Sequence, residues 1–150
     1  MSLFQKEKKS PNLTIIVGCG RLGASIANEI SAKDGSATVI DKDEHAFRKL
    51  DSAYGGLTIT GDATNISLLQ EVDIAHADTV ISVTDDDNTN IMVAQIAKEI
   101  YHVPHVICRL YDPEREYVYH EFGIETICPV VLSAQAIAQY LDHTQEACVS

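Results

Sequence analysis

Positive charge is scarce in this chain. Eleven Lys and Arg stand against 22 Asp and Glu, a formal net charge of −11. The one basic stretch is the short Lys6-Glu7-Lys8-Lys9 run. A nucleic-acid surface, whose phosphate contacts need concentrated positive charge, is therefore excluded as an expectation. Long apolar runs are missing too. Ile91-Met92-Val93-Ala94, Ile15-Ile16-Val17 and Val130-Val131-Leu132 fall far below the ~20 residues of a membrane span. The start, Met1-Ser2-Leu3-Phe4 followed by Lys-rich polar sequence, lacks the apolar core and cleavage site of a signal peptide, which points to the cytoplasm. Cys19, Cys108, Cys128 and Cys148 show no CxxC spacing. A disulfide framework is not expected, and the first three sit in strand-like or Gly-rich settings that suit a reduced, buried thiol. No GxSxG, no HExxH and no motif-placed Cys–His pair is present, so no catalytic residues are assigned.

What is there is a chain of 150 residues, 45% apolar and 22% charged. That length suits one domain burying roughly 70% of its unfolded-chain surface. Residues 1–12 read as a polar leader, 13–141 as the domain and 142–150 as a tail. No repeat or low-complexity linker divides it.

Short β-branched runs alternate with longer amphipathic stretches, the pattern of a parallel sheet with crossover helices. The expected strands are Leu13–Val17, Ala37–Ile40, Leu57–Thr60, Thr79–Val83, His105–Cys108 and Glu125–Cys128. Six strands imply an α/β fold, a Rossmann-like doubly wound parallel sheet in a single domain. Between them, helical stripes are predicted at Leu22, Ile26 and Ile30, at Phe47, Leu50 and Tyr54, and at Met92, Ile96 and Ile100. Asn65 to Val72 reads as a short helix, Asp112 to Phe122 as another stopped by Gly123, and Leu132 to Leu141 as the last.

Gly18-Cys19-Gly20-Arg21-Leu22-Gly23 directly follows the first strand and opens the first helix. In that setting GxGxxG reads as a phosphate-binding turn, the alternative being a glycine-rich turn without a ligand. Gly18 permits the tight turn, Gly20 admits a phosphate to the backbone, and Gly23 allows close helix–strand contact. The free N–H groups at the helix start favour an anion. Asp41, 18 residues after Gly23, ends the second strand within Val39-Ile40-Asp41-Lys42-Asp43. A carboxylate there accepts hydrogen bonds from ribose hydroxyls and repels a 2′-phosphate, so the expected ligand is an adenine nucleotide (ATP, ADP, AMP, NAD or NADH) and not NADP. The alternative role for Asp41 is a helix N-cap, which Asp43 fills equally well. Lys42 is grouped with the binding residues. Arg21, at the helix start, is either a phosphate contact or a solvated side chain.

Together with Gly61-Asp62-Ala63-Thr64, Ala77-Asp78-Thr79-Val80-Ile81, Thr84-Asp85-Asp86-Asp87-Asn88-Thr89-Asn90, Cys108-Arg109-Leu110-Tyr111-Asp112-Pro113-Glu114 and Gly123-Ile124-Glu125, these blocks resemble the TrkA-N domain family, regulators of potassium conductance. The likeness runs from about Thr14 to about Leu141. The resemblance implies a cytoplasmic gating subunit at the inner face of the membrane, reporting an adenine nucleotide to a membrane-embedded potassium transporter or channel. It implies phosphates at Gly18 through Leu22, ribose at Asp41, the adenine edge at Asp62 with Ala63, and the ligand's far side at Thr84 with Asp85. Arg109 is expected to approach the phosphates. In related proteins the last helix crosses to a partner subunit and homo-dimers assemble into rings; for Leu132 to Leu141, packing on its own domain is the alternative. The family commonly carries a second, smaller ligand module after this domain.

The rival reading is an NAD-dependent oxidoreductase fragment. Such an enzyme needs a second domain to present substrate to the nicotinamide, and Leu13 to Leu141 are already used by the nucleotide fold. No metal site is expected. Pro104 makes the ligand-type residues of His102–Cys108 diverge, and acids such as Asp85-Asp86-Asp87 at a helix start serve capping and the helix dipole.

Overall fold

A computed structural model describes residues 12–148, with side chains through residue 144. The leader's basic run, Lys6 to Lys9, lies outside the described residues. Six parallel strands form one sheet in the order β3-β2-β1-β4-β5-β6. They are β1 (Leu13–Val17), β2 (Ser36–Asp41), β3 (Leu57–Thr60), β4 (Thr79–Ser82), β5 (His105–Arg109) and β6 (Glu125–Ile127). The helices are α1 (Arg21–Ala32), α2 (Ile66–Glu71), α3 (Asp87–Gln95), α4 (Glu116–Glu121) and α5 (Pro129–Cys148). The doubly wound reading holds, and each predicted strand is found to within one residue at either end.

The sequence builds this sheet because its central strands are apolar on both faces. Along β1, Ile15 and Val17 pack into one core with Val80, Val93 and Val106, while Ile16 between them enters a second with Ala24, Val39 and Ile81. Side chains alternate across a strand, so a fully apolar run is stable only when both faces are covered. Each buried aliphatic side chain contributes about 1.5–3 kcal/mol.

The helical stripes fare less well. In α1 the buried residues are Gly23, Ala24 and Ala27; Ile26 and Ile30 pack at the flank, and Leu22 is exposed. Small side chains let the helix approach β1 closely, which the larger stripe would prevent. Phe47, Leu50 and Tyr54 do not share a helix. Glu44–Lys49 is a 3-10 helix, and the Tyr54 hydroxyl lies within hydrogen-bonding distance of the Ala37 and Leu57 carbonyl oxygens. Burial pushes the Tyr54 phenol up to about 12. Met92 and Ile100 are exposed. The inward face of α3 is Asn90, Ile91, Val93 and Ala94, and a π-helical turn at Ile96–Ile100 then shifts the register. Asp112 to Phe122 divides into a 3-10 turn at Pro113–Arg115 and α4. The last helix is longer than expected, running from Pro129 to Cys148 and so into the predicted tail.

Gly23 tests how tightly α1 sits on β1. A Cβ there would overlap the Gly18 carbonyl oxygen, whereas one on Gly20 meets nothing within 4 Å. Gly23→Ala is expected to lower stability by at least about 1–3 kcal/mol, the cost of overpacking, with Gly20→Ala close to neutral. Urea unfolding curves that coincide for the two variants would refute the close approach.

Candidate functional site

The sheet order reverses between β1 and β4, and ligands of open α/β sheets bind at the carboxyl ends of strands at such a point. A cleft of about 210 Å³ opens there, reached by Gly18, Asp41, Lys42, Ala63, Thr84 and Asp85 among the expected residues. Gly18 has φ +104°, and a Cβ on it would lie 2.9 Å from the Thr84 nitrogen. Only glycine allows both that backbone and that approach. Gly20 precedes α1, no side chain caps the first turn, and no acid sits in it. The backbone N–H groups of that turn therefore keep their preference for an anion.

Asp41 ties the cleft together. Its carboxylate accepts hydrogen bonds from the Cys19 N–H at 2.7 Å and the Asp43 N–H at 2.9 Å. Each oxygen retains lone-pair capacity for a ribose hydroxyl. The capping role falls to Asp43, which accepts from the His45 N–H. Lys42 stands 3.7 Å from Asp62 in an exposed ion pair. Thr64 donates to Asp62 through both its N–H and its hydroxyl, and those bonds, with Lys42, hold that carboxyl below its ordinary range. Asp62 thus lies exposed beside the buried Ala63.

Other expected residues point elsewhere. Cys19 lends its backbone to the loop while its side chain is fully buried; burial and the neighbouring Asp41 charge raise its pKa. A thiol kept protonated in this way is a poor redox sensor. Leu22 lines an apolar groove with Ile81, Val83 and Leu132, so only its backbone faces the anion position. Arg21 is exposed at the first position of α1. Arg109 does not line the cleft: its Nη2 donates to the Thr84 carbonyl at 2.7 Å.

Several residues of the site were not among those expected to bind, Val17, Ile40 and Gly61 of the lining included. Asp86 and Thr89 line the cleft, and the Thr89 hydroxyl donates to Asp86, lowering its pKa. Asn90 is fully buried. Its Oδ1 accepts from the Thr84 N–H and hydroxyl, and its Nδ2 donates to the Thr84 and Arg109 carbonyl oxygens. The available signal was a polar residue on the inward face of an apolar helix. Among the described residues, no group of three or more His, Cys, Asp or Glu is placed to hold a metal.

A profile of the TrkA-N domain matches residues 14–129. The chain belongs to the TrkA-N domain family. A Trk system potassium uptake protein TrkA from Streptomyces coelicolor is 36% identical over 127 residues, 85% of this chain and 57% of that protein. The chain thus spans just over half the length of this relative. Among solved structures, the TrkA-N domain of the inner membrane protein ybaL from Escherichia coli superposes with a TM-score of 0.77 at 19% identity, covering 89% of this chain and 98% of that one. A structure of GsuK bound to ADP gives 0.74 at 23% identity, covering 89% and 34%. At these identities the two structures establish a shared fold. Among the described residues, no helix is long and apolar enough to cross a membrane.

Removing Asn90 strands several groups at once. Asn90→Ala is expected to destabilise the domain by about 1–3 kcal/mol for each buried group left without a partner. Chemical denaturation reads the loss, and an unchanged midpoint would show that the network carries no stability.

Proposed function

We propose that this TrkA-N domain is the nucleotide-sensing regulatory part of a potassium uptake transporter or channel. It binds an adenine nucleotide with an unmodified ribose, ATP, ADP, AMP, NAD or NADH, in the cleft between β1 and β4. The observation that carries the reading is the pairing of an uncapped helix start at Gly20 with a carboxylate at Asp41 that closes the same loop. The first prefers phosphate, and the second accepts ribose hydroxyls. The names of the relatives support the potassium role, and the ADP in GsuK supports the ligand class.

In this reading the phosphates lie over Gly18 to Leu22, with Arg21 reaching them from solvent. Lys42 flanks the ribose, Asp62 and Ala63 meet the adenine edge, and Thr84 and Asp85 close the far side. The domain works at the inner face of the cell membrane, held there by its transporter. It is regulatory and not an enzyme, in keeping with relatives named as potassium uptake proteins. A second copy supplies the other contact. Ile137, Tyr140 and Leu141 of α5 are exposed, and the apolar groove beside Leu22 and Ile81 is open. Exchange of α5 between copies would cover both surfaces and give the dimer from which a ring is built.

A ligand that binds only the folded state raises its melting temperature by mass action. Thermal shifts are expected with ATP, ADP, AMP, NAD or NADH and not with NADP; a shift with NADP alone would refute the Asp41 role. Asp41→Ala should weaken binding by roughly 1.5–3 kcal/mol, the scale of hydrogen bonds to a charged group, as calorimetry would show. For the dimer, Ile137→Asp is expected to shift the sedimentation of the chain to that of a monomer while nucleotide affinity is retained. A dimer that survives the change would place the interface elsewhere.

A further inference from the structure

Arg109 ends β5, and its guanidinium is held on one side. Nη2 donates to the Thr84 carbonyl at 2.7 Å, Cζ stands 5.2 Å over the Tyr111 ring, and Nε is buried without a partner. The Nη2 bond braces the backbone of a cleft residue.

The brace continues in both directions. Asn90 takes up the Thr84 N–H, hydroxyl and carbonyl, and the Arg109 carbonyl as well. Asp87 accepts from the Tyr111 N–H at 2.8 Å and the Asp112 N–H at 3.2 Å. The loop from Thr84 to Asp87 is therefore joined to the segment from Arg109 to Asp112 by side-chain bonds. That segment is one bond from the last helix: the Leu110 N–H donates to the Ile127 carbonyl at 2.9 Å, just before Pro129 opens α5.

We propose that Arg109 is a positioning residue of the nucleotide site and not a phosphate ligand. Through the Thr84 carbonyl it holds the cleft loop against residues 109–112, so that a nucleotide seated on Thr84 also stiffens the approach to α5. The inference rests on the nucleotide reading above and names how occupancy of that cleft leaves it. A displaced phosphate ligand would give up an attraction that scales with ligand charge. A displaced brace loosens the loop equally for every ligand that touches it.

The test compares adenosine, AMP, ADP and ATP on the wild-type chain and on Arg109→Met, with calorimetric affinities and amide exchange at Tyr111 and Asp112. The expected result is a loss on the order of tenfold that is the same for all four ligands. ADP slows the two amides in the wild-type chain and leaves them unaffected in the variant. A loss that grows with the number of phosphates and vanishes for adenosine overturns the proposal in favour of direct contact. Unchanged affinities overturn it as well. If Arg109→Met does not fold, Arg109→Lys, which keeps the charge but not the planar fork, takes its place and is read the same way. A wild-type chain that binds none of the four defeats the nucleotide reading itself, and this inference with it.

Discussion

The adjacency of β1 and β4 is the constraint from which the rest of the site follows. They pair in register from Thr14 with Thr79 to Val17 with Ser82, and then the chain leaves them in opposite directions. After β1 it turns toward β2, and after β4 toward β5, so a gap opens where the two loops part. For the gap to be a cleft, the loops must touch at its floor. A Cβ on Gly18 would stand 2.9 Å from the Thr84 nitrogen and 3.0 Å from the Val83 carbonyl, so the two loops approach as they do only because it has none. Gly23 performs the same service one helical turn on, where α1 presses on the Gly18 carbonyl. A side chain at either position would widen the gap or lift the helix from β1.

A domain with eleven excess acids is an unlikely-looking home for a phosphate until distances are compared. Screening reduces the influence of exposed carboxylates beyond about 8 Å at physiological salt. The backbone N–H groups at the start of α1 would act at hydrogen-bonding distance, about 2.9 Å. Local dipoles therefore decide the outcome, and the absence of any acid in the first turn of α1 keeps them unopposed. Three of the nearby acids are occupied otherwise. Asp41 holds Cys19 and Asp43, Asp62 holds Thr64, and Asp86 holds Asn88 and Thr89. Each carboxylate shapes a loop before any ligand arrives.

The same division between local and distant causes decides what was legible in the sequence. Strands could be read because a central parallel strand is buried on both faces and so is largely apolar, as Ile15, Ile16 and Val17 are, while the edge strands Leu57–Thr60 and Glu125–Ile127 are short β-rich runs that stay mostly exposed. The glycine loop and Asp41 could be read because their chemistry depends on position within one βαβ unit. Helix faces were harder. Which side of α1 or α3 turns inward depends on how closely a helix can approach the sheet, and Ala27 and Asn90 win over Leu22 and Met92 on size and hydrogen bonding. Arg109 could be placed at the end of β5, but the direction of its side chain could not. That choice is made by Thr84 and Tyr111, one remote in sequence and both near in space, and no spacing rule encodes it.

α5 brings these causes together. On one side of the sheet, α1 covers Ile16 and Val39, but Ile81, Ile107 and Ile127 open onto a groove that also takes in Leu22 and Leu132. Among the described residues no later crossover returns to that side, β6 being the edge strand of the sheet. The helix that follows leaves with Ile137, Tyr140 and Leu141 uncovered. An apolar groove and an apolar helix on one chain are complementary surfaces, and burial removes both from water at about 25 cal/mol per Å². The helix begins one residue after Cys128, whose thiol faces the Tyr111 carbonyl, in the segment that Asp87 and Arg109 fasten to the cleft loop. On the proposed reading, a shift of that loop on nucleotide binding would reach the root of this helix through those bonds.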